Sequence, residues 1–293
     1  MQQFPSDGWI EVVVVDDASK HELPDDIVAL YPSVSLVKNT HNLGQIANLN
    51  QCIDLAQGEW VHILHSDDIV LPGFYDAMHK AIRQYPEAGG FFCRHAIIDG
   101  TGNQKGLSEL WRDTSGHIDN WLKKISIRQC IQTPSIVVQK AVYTQLGHFQ
   151  SDLAGCEDWE MWHRISQYFP VIFIPEILCQ YREFDHSNSG DAFRSGRYIF
   201  DLQKAIILLK KQHKREDWTQ QSVSHYEKYI LDTFFTLARN QHISMQQLMV
   251  WWKAWTTSIF FRWKKIPAMI KLSLWVLWPG MFQTQQSANT NGR

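Results

Sequence analysis

Short apolar runs alternate along the chain with segments whose apolar positions recur every three or four residues, which is how the elements of a layered α/β domain read. Trp9–Val15 is rich in β-branched residues and predicts a strand that ends in Asp16-Asp17. Glu59–Leu64 predicts another, with Val61, Ile63 and Leu64 buried, and it runs out into His65-Ser66-Asp67-Asp68. This run is expected at the centre of the sheet. Val34–Lys38, Gly89–Cys93, Pro134–Val138 and the proline-bounded Phe169–Pro175 predict further strands. Helical spacing is found over Asp25–Tyr31, at Ile46, Leu49, Ile53 and Ala56 with Gly58 as the stop, over Tyr75–Tyr85, over Lys140–Leu146, and from Asp158 through Trp159, Trp162 and Ile165. Asp99–Gly106 reads as a glycine-containing loop, and Trp111–Trp121 as an irregular stretch whose tryptophans serve either core packing or an acceptor pocket.

Beyond residue 190 the pattern is helical. Gly196–Lys211 places Phe200, Ile207 and Leu208 on one face, and Gln220–Arg239 places Ile230, Leu231, Phe234 and Leu237 on one face. Ile243–Lys253 and Trp263–Trp278 predict two more helices, and the polar residues 283–293 predict a disordered tail. The expected organisation is therefore a domain over 1–190, a helical region over 191–282 and the tail.

Composition narrows the classes of function. The 293 residues are 44% hydrophobic and 20% charged with a formal net charge of -2, which gives no support to nucleic-acid binding. The five cysteines are scattered without C-x-x-C spacing and predict reduced thiols in a cytosolic setting. No basic-then-apolar leader precedes the first strand, so a cytoplasmic location is expected. From Arg239 onward there are seven basic residues, no acidic ones and six of the thirteen tryptophans. The apolar stretches there are too short to cross a bilayer. The tail reads either as a helical surface lying on the inner face of the cell membrane or as a subdomain whose tryptophans pack internally.

Two strands that each deliver a carboxylate pair at their C-terminal ends predict a shared cleft, because open α/β sheets place ligands there. Adjacent like charges call for a cation or a basic partner. A third acid pair, Glu157-Asp158, stands where a helix begins; carboxylates also suit that place simply through the helix dipole. Asp16 has a similar local alternative, capping the turn that follows it.

The segments Val12-Val13-Val14-Val15-Asp16-Asp17-Ala18-Ser19, Asn42-Leu43-Gly44 with Ala47 and Asn50, Ala56-Gln57-Gly58-Glu59 and Leu64-His65-Ser66-Asp67-Asp68 with Pro72-Gly73, followed by Glu157-Asp158, resemble in order and spacing an inverting family 2 glycosyltransferase. The resemblance covers about residues 9–190. It implies a GT-A-like (Rossmann-like) mixed sheet flanked by helices, with a helical C-terminal extension. Relatives begin with a further strand and helix before the strand at Trp9–Val15, so an N-terminally truncated version of the fold, with little activity from this chain alone, is expected. The resemblance further implies that Asp16, Asp17, Asn42, His65, Asp68 and Arg182 contact the donor. Asp17 would meet the base, and Asp68 the ribose or the metal shell. Asp67 and His186 would hold a divalent cation, Mn or Mg, on the diphosphate, with His65 in the first position of the family's D-x-D. Asp158 would be the general base and Glu157 would position its neighbours. Arg182 or His186 would neutralise phosphate.

The implied partners are a nucleoside-diphospho sugar, a glycan or lipid-linked acceptor and a membrane surface. Two other functions fit parts of the sequence. A catalytically reduced sugar-nucleotide-binding or scaffold protein would suit His65 and the missing front segment, and a nucleotidyltransferase could use a similar acidic cleft.

Overall fold

The computed structural model describes residues 9–20, 30–183, 192, 195–239 and 244–259. The chain divides into two compact units, Met1–Ile125 with Gln129–Phe184, and Ser126–Arg128 with Asp185–Arg293. The predicted helix Trp263–Trp278, the tail 283–293 and most of the predicted helix Asp25–Tyr31 lie outside the described residues.

The first unit is built on strands. β1 (Val12–Asp16) pairs in parallel with β2 (Val34–Lys38), and the two form a sheet of their own among the described residues. Helix α1 (Gln45–Leu55) follows and buries Ile46, Leu49 and Ile53 at the spacing the sequence predicts. The Glu11 carboxylate accepts from the N–H groups of Gln57 and Gly58, tying the approach to β1 to the loop after α1.

Among the described residues a seven-stranded sheet holds β3 (Trp60–His62), β4 (Ile69–Val70), β5 (Gly90–Ile98), β6 (Gln104–Leu107), β7 (Gly116–His117), β8 (Ile136–Gln139) and β9 (Val171–Arg182). Its path runs β3-β8-β5-β9-β4, with β6 on β5 and β7 on β9. The expectation that Glu59–Leu64 lies at the centre is corrected here: β3 pairs with β8 alone among the described residues and so lies at the end of that path. Val61 and Ile63 are buried as expected, but Leu64 is 42% exposed. The centre belongs to β5 and β9, which run parallel over their length. Seven of the nine β5 residues are buried, the mark of a strand covered on both faces.

The alternation of β5 assigns those faces. Phe91 and Cys93 pack with Phe74, Met78 and Ala81 of α2 (Phe74–Gln84). Phe92 points the other way and stacks on Trp121 at 5.0 Å between ring centroids. Trp121 opens α3 (Trp121–Ile127), and its indole N–H donates to Ser166 Oγ at 2.9 Å on α5 (Glu157–Tyr168). Trp121 is therefore core, and the sheet is sandwiched between α2 and the α3–α5 layer. A one-turn 3-10 helix (Thr133–Ser135) leads into β8, and α4 (Lys140–Leu146) follows it.

Two elements are longer than the local sequence predicts. β9 continues through Pro175 because the β5–β9 register slips between Cys93/Arg94 and Arg94/His95, leaving Pro175 and Glu176 on a bulge where no ladder donor is needed. β6 forms within the segment read as a loop, paired back on β5 after a turn in which Asp99 Oδ1 accepts from the N–H groups of Thr101 and Asn103.

The second unit contains α6 (Arg197–His213), α7 (Glu216–Arg239) and α8 (Met245–Thr256). The predicted face of α6 is corrected: Phe200 and Ile207 are each 40% exposed, and Ile199, Leu202, Ala205, Ile206 and Leu209 are buried instead. Ile230 and Leu231 of α7 are buried as expected. α8 starts with a capping box between Ser244 and Gln247 and buries Trp251 and Trp255 completely. Among the described residues no helix is long and apolar enough to cross a membrane.

Candidate active site

The C-terminal end of β1 delivers Asp16 and Asp17 to different tasks. Asp16 is buried and its Oδ1 accepts from Ser19 N–H at 3.0 Å. The bonds from Ser19, through its side chain and then its backbone, hold this carboxyl below its ordinary range. The turn-capping alternative is thus realised, with Ala18 in the left-handed region at φ 54°. Asp17 reaches across to the loop before α1. Its Oδ1 accepts from Leu43 N–H at 2.8 Å and from the Asn39 amide at 3.0 Å, and its Oδ2 accepts from Gly44 N–H at 2.9 Å. Partial burial pushes this carboxyl up, but the three donors together hold it below the ordinary range. Asn42 closes the same loop by donating to the Asp17 carbonyl at 2.8 Å. Asp17 and Asn42 therefore hold the loop between β2 and α1 in shape.

That loop leads directly to the third acid pair. Gln45, the first residue of α1, donates to Glu157 Oε1 at 3.2 Å, and Gly155 N–H donates to Glu157 Oε2 at 2.7 Å. Buried Glu157 is in this way a tie between two helix starts. Farther along α1, Asn50 pairs with the backbone N–H and C=O of Phe149 at 3.0 and 3.1 Å. The turn containing Phe149 is also clamped from α5. Arg164 donates to the carbonyls of Leu146, Gly147 and His148 and forms a two-bond ion pair with Glu160 at 3.0 and 2.9 Å. These bonds fix the start of α5, where Asp158 stands partly exposed.

Asp158 accepts at both oxygens: Trp159 N–H donates to Oδ1 and the Gln129 amide to Oδ2, each at 2.6 Å. Burial, followed by the neighbouring charge of Glu157, outweighs these donors and pushes the carboxyl up to about 7. A carboxylate poised there can take a proton near neutral pH.

His65, Asp67 and Asp68 lie on the turn between β3 and β4. One ligand atom from each comes within 4.8 Å of the others, making a cluster able to hold a metal ion. Its chemistry suits a divalent cation: two hard carboxylate oxygens and an imidazole nitrogen. Two buried atoms there, His65 Nε2 and Asp68 Oδ2, have no hydrogen-bond partner among the described residues. Burial lowers the His65 pKa, with Asp67 opposing, so the ring is neutral and has a lone pair to offer. Burial pushes Asp68 up to about 7 despite the Arg182 N–H that donates to its Oδ1 at 2.9 Å. That state is relieved when a cation replaces the proton.

The short β4 pairs with β9 through Ile69↔Gln180 and Val70↔Cys179, which brings Tyr181 and Arg182 beside the cluster. Arg182 Nε donates to the Asp67 carbonyl at 2.8 Å and Nη1 to the Asp99 carbonyl at 3.0 Å. The guanidinium thus braces the turn that carries the acids, a role additional to the phosphate contact expected of it. Tyr181 joins the two halves of the site. Burial first, then the charges of Asp158, Glu183, Asp68 and Asp67, raise its phenol above the ordinary range. The charges of the base candidate and of the acidic cluster therefore both act on one side chain. His186 lies outside the described residues.

Sequence reasoning missed Gln45, Gln129 and Tyr181. Nothing local marks the two glutamines; Tyr181 adjoins an expected residue and could have been found on that ground.

Residues 2–143, just under half the chain, match the family model described as glycosyl transferase family 2. An uncharacterized protein of Mycobacterium tuberculosis is 24% identical over 224 residues, 68% of this chain and 66% of that protein. An uncharacterized glycosyltransferase of Methanocaldococcus jannaschii is 25% identical over 176 residues, 58% of this chain and 59% of that protein. The chain thus spans slightly under two thirds of the length of these relatives. Among solved structures, residues 1–349 of TarS from S. aureus, crystallised with UDP-GlcNAc, superpose with a TM-score of 0.57 at 16% identity, covering 92% of this chain and 72% of that one. At that identity the likeness speaks for the fold.

Proposed function

The chain belongs to glycosyl transferase family 2 and has a GT-A-like fold, and on that footing we propose that it transfers a sugar from a nucleoside-diphospho sugar to a hydroxyl of a glycan or lipid-linked acceptor, with inversion. The observations that carry this reading are the His65–Asp67–Asp68 cluster, whose ligand atoms lie within 4.8 Å of one another, and the partly buried, doubly hydrogen-bonded Asp158 at the start of α5, whose charges both act on Tyr181. A group transfer of this kind needs those two chemistries at once, a base beside the acceptor and countercharge beside the leaving diphosphate.

In the proposed step Asp158 takes the acceptor hydroxyl proton while that oxygen forms its bond to the anomeric carbon. The bond from the anomeric carbon to the diphosphate oxygen breaks on the opposite face, and the electron pair leaves with the diphosphate. One displacement inverts the centre, and the proton remains on Asp158. General-base assistance of this kind contributes roughly 10²–10⁴ in rate. A divalent cation held by Asp67 and Asp68 with His65 would supply Lewis-acid stabilisation of the departing diphosphate. His186 is proposed to complete that shell. Asp17, Asn42 and the loop they hold would wall the nucleoside side, and Glu157 would fix the Asp158 backbone through Gly155 and Gln45. We place the enzyme in the cytoplasm, peripheral to the inner face of the cell membrane, where a lipid-linked acceptor would be presented.

The test is turnover of a panel of nucleoside-diphospho sugars with Mn2+, counting release of the nucleoside diphosphate, for the native chain and for Asp158→Asn. The substitution keeps the shape and removes the base, so release should fall at least about 100-fold while donor binding is retained. Near-normal release from Asp158→Asn would overturn the mechanism. Donor binding without turnover by the native chain would favour the sugar-nucleotide-binding alternative.

A further inference from the structure

We propose that Gln129 is the positioning residue of the catalytic base: its side-chain amide, locked in one orientation by the backbone beside it, holds Asp158 Oδ2 so that the carboxylate presents a fixed lone pair to the acceptor hydroxyl. The inference rests on the reading of Asp158 as the base.

The lock is read from the donors and acceptors. Gln129 Oε1 accepts from the N–H of Cys130 at 3.0 Å and lies 3.4 Å from that of Ile131. With its oxygen engaged in this way, the amide must turn its NH2 outward, and the NH2 donates to Asp158 Oδ2 at 2.6 Å. A flipped amide would set its oxygen against a carboxylate oxygen and its NH2 against two N–H groups, three mismatched contacts in place of three matched ones. The orientation is therefore dictated by this chain's own backbone. The segment supplying it leads into the 3-10 turn at Thr133–Ser135, which is buried at all three residues. Ile131 is itself fully buried.

Trp159 N–H holds the other carboxylate oxygen. With both oxygens engaged, the Asp158 carboxylate loses its rotational freedom, and the lone pairs left to accept a proton point in fixed directions. A neutral amide is the side chain that can do this without supplying a competing proton. An acid at 129 would share a proton with Asp158, and an apolar residue would release Oδ2. Gln129 also favours the charged form of Asp158, against the burial and the Glu157 charge that disfavour it. Among the described residues, the ionisable groups interacting with Asp158 are Glu157, from its own helix, and Tyr181, from β9. Neither substitutes for the Gln129 bond, since one is a like charge and the other is a phenol held neutral.

Gln129→Met removes the donor and keeps the length. Gln129→Glu keeps the shape and the oxygen that faces Cys130 and Ile131, but opposes Asp158 with a second acid. The first readout needs no substrate. It is the titration of the Asp158 side-chain carbon by 13C NMR of the full chain labelled at aspartate, assigned by the signal lost in Asp158→Asn. The midpoint should rise by about one pH unit in Gln129→Met, and by more in Gln129→Glu, where two carboxyls share one proton. The second readout is nucleoside diphosphate release from the donor used most rapidly by the native chain. kcat should fall about tenfold in Gln129→Met with donor KM within twofold, and the acid limb of kcat/KM should move up with the NMR midpoint. A merely structural glutamine would lower the amount of folded protein and move neither midpoint nor limb.

An unmoved midpoint in both folded variants overturns the proposal, as does a rise in donor KM with kcat unchanged. The two levels of the argument fail differently. If Asp158→Asn still turns over, the base assignment is wrong. If Asp158→Asn is inactive while both Gln129 variants keep the native pH profile, only the positioning role is wrong.

Discussion

Arg164 is where the fold and the candidate base are mechanically joined. Its side chain is 10% exposed and that of its partner Glu160 is 2% exposed. One guanidinium meets both Glu160 oxygens and the carbonyls of Leu146, Gly147 and His148. Arg164→Met would take both guanidinium bonds from the buried Glu160 carboxylate and leave three carbonyls without this donor. Breaking a buried ion pair from one side costs about 3–5 kcal/mol. At a urea dependence of about 2 kcal/mol per molar, that moves the unfolding midpoint down by roughly 2 M. Removing both partners, in Glu160→Met with Arg164→Met, eliminates the stranded charge, and the loss should be smaller than in Arg164→Met alone.

The assay is urea unfolding followed by hydrogen–deuterium exchange of the peptide covering 157–168, which reports the unit that contains α5. The single substitution should deprotect that peptide first and lower turnover with it, because Asp158 stands in the same first turn. An Arg164→Met chain with native exchange across 157–168 would refute the reasoning. So would a double variant less stable than the single one, since an ion pair stranded from one side must then not be the source of the cost.

Other expectations follow from the same contacts. Asp158 has its pKa raised to about 7, so its base form is populated above that value and kcat/KM should climb as pH rises through about 7; a flat profile from pH 6 to 8 would count against it. The linkage has the opposite sense for stability. A carboxyl with a folded pKa above its unfolded value of about 4 stabilises fully below about pH 4, and the contribution is lost as pH rises toward 7. Asp158→Asn should therefore gain urea resistance relative to the native chain at pH 8 and show no such gain at pH 4. Asp67→Ala and Asp68→Asn should each weaken Mn2+ binding at least about tenfold by calorimetry, with Asp158→Asn binding normally; equal affinities throughout would place the ion elsewhere. Asp17→Ala removes the shared acceptor of the Leu43 and Gly44 N–H groups and should cost about 1 kcal/mol, read as faster amide exchange over 39–48, and native exchange there would show that the loop is held by something else.

The sequence discloses unequal parts of this arrangement. β2 is found where its β-branched residues predict it, and α1 buries the predicted Ile46, Leu49 and Ile53, because both patterns are local and have one apolar face. On α6 the choice of face fails because Ile206-Ile207-Leu208-Leu209 is apolar in every direction, so periodicity there does not favour one side. Pro175 reads as a stop, yet β9 passes it on a bulge whose register is set by β5, more than 70 residues earlier. The place of β3 at the end of the sheet path is likewise a property of its pairing, which no local pattern encodes.

The acids show the same division. Asp17, Asp67 and Asp158 are visible as pairs at element ends, but their partners are not. Leu43 and Gly44 act through backbone N–H groups, and Gln129 through an amide oriented by its two following residues. Backbone donors carry no sequence signature. The sequence thus points to the charges of the site and leaves their restraints to the fold.

The central claim is that the cluster at His65, Asp67 and Asp68 and the carboxylate of Asp158 serve opposite ends of one transfer. Anomalous diffraction from crystals of the chain grown with Mn2+ and a nucleoside-diphospho sugar tests it most directly. The account predicts a manganese peak coordinated by Asp67 and Asp68, the diphosphate upon it, and the anomeric carbon turned toward Asp158. A manganese peak away from these acids, or a sugar whose anomeric carbon faces away from Asp158, would contradict it.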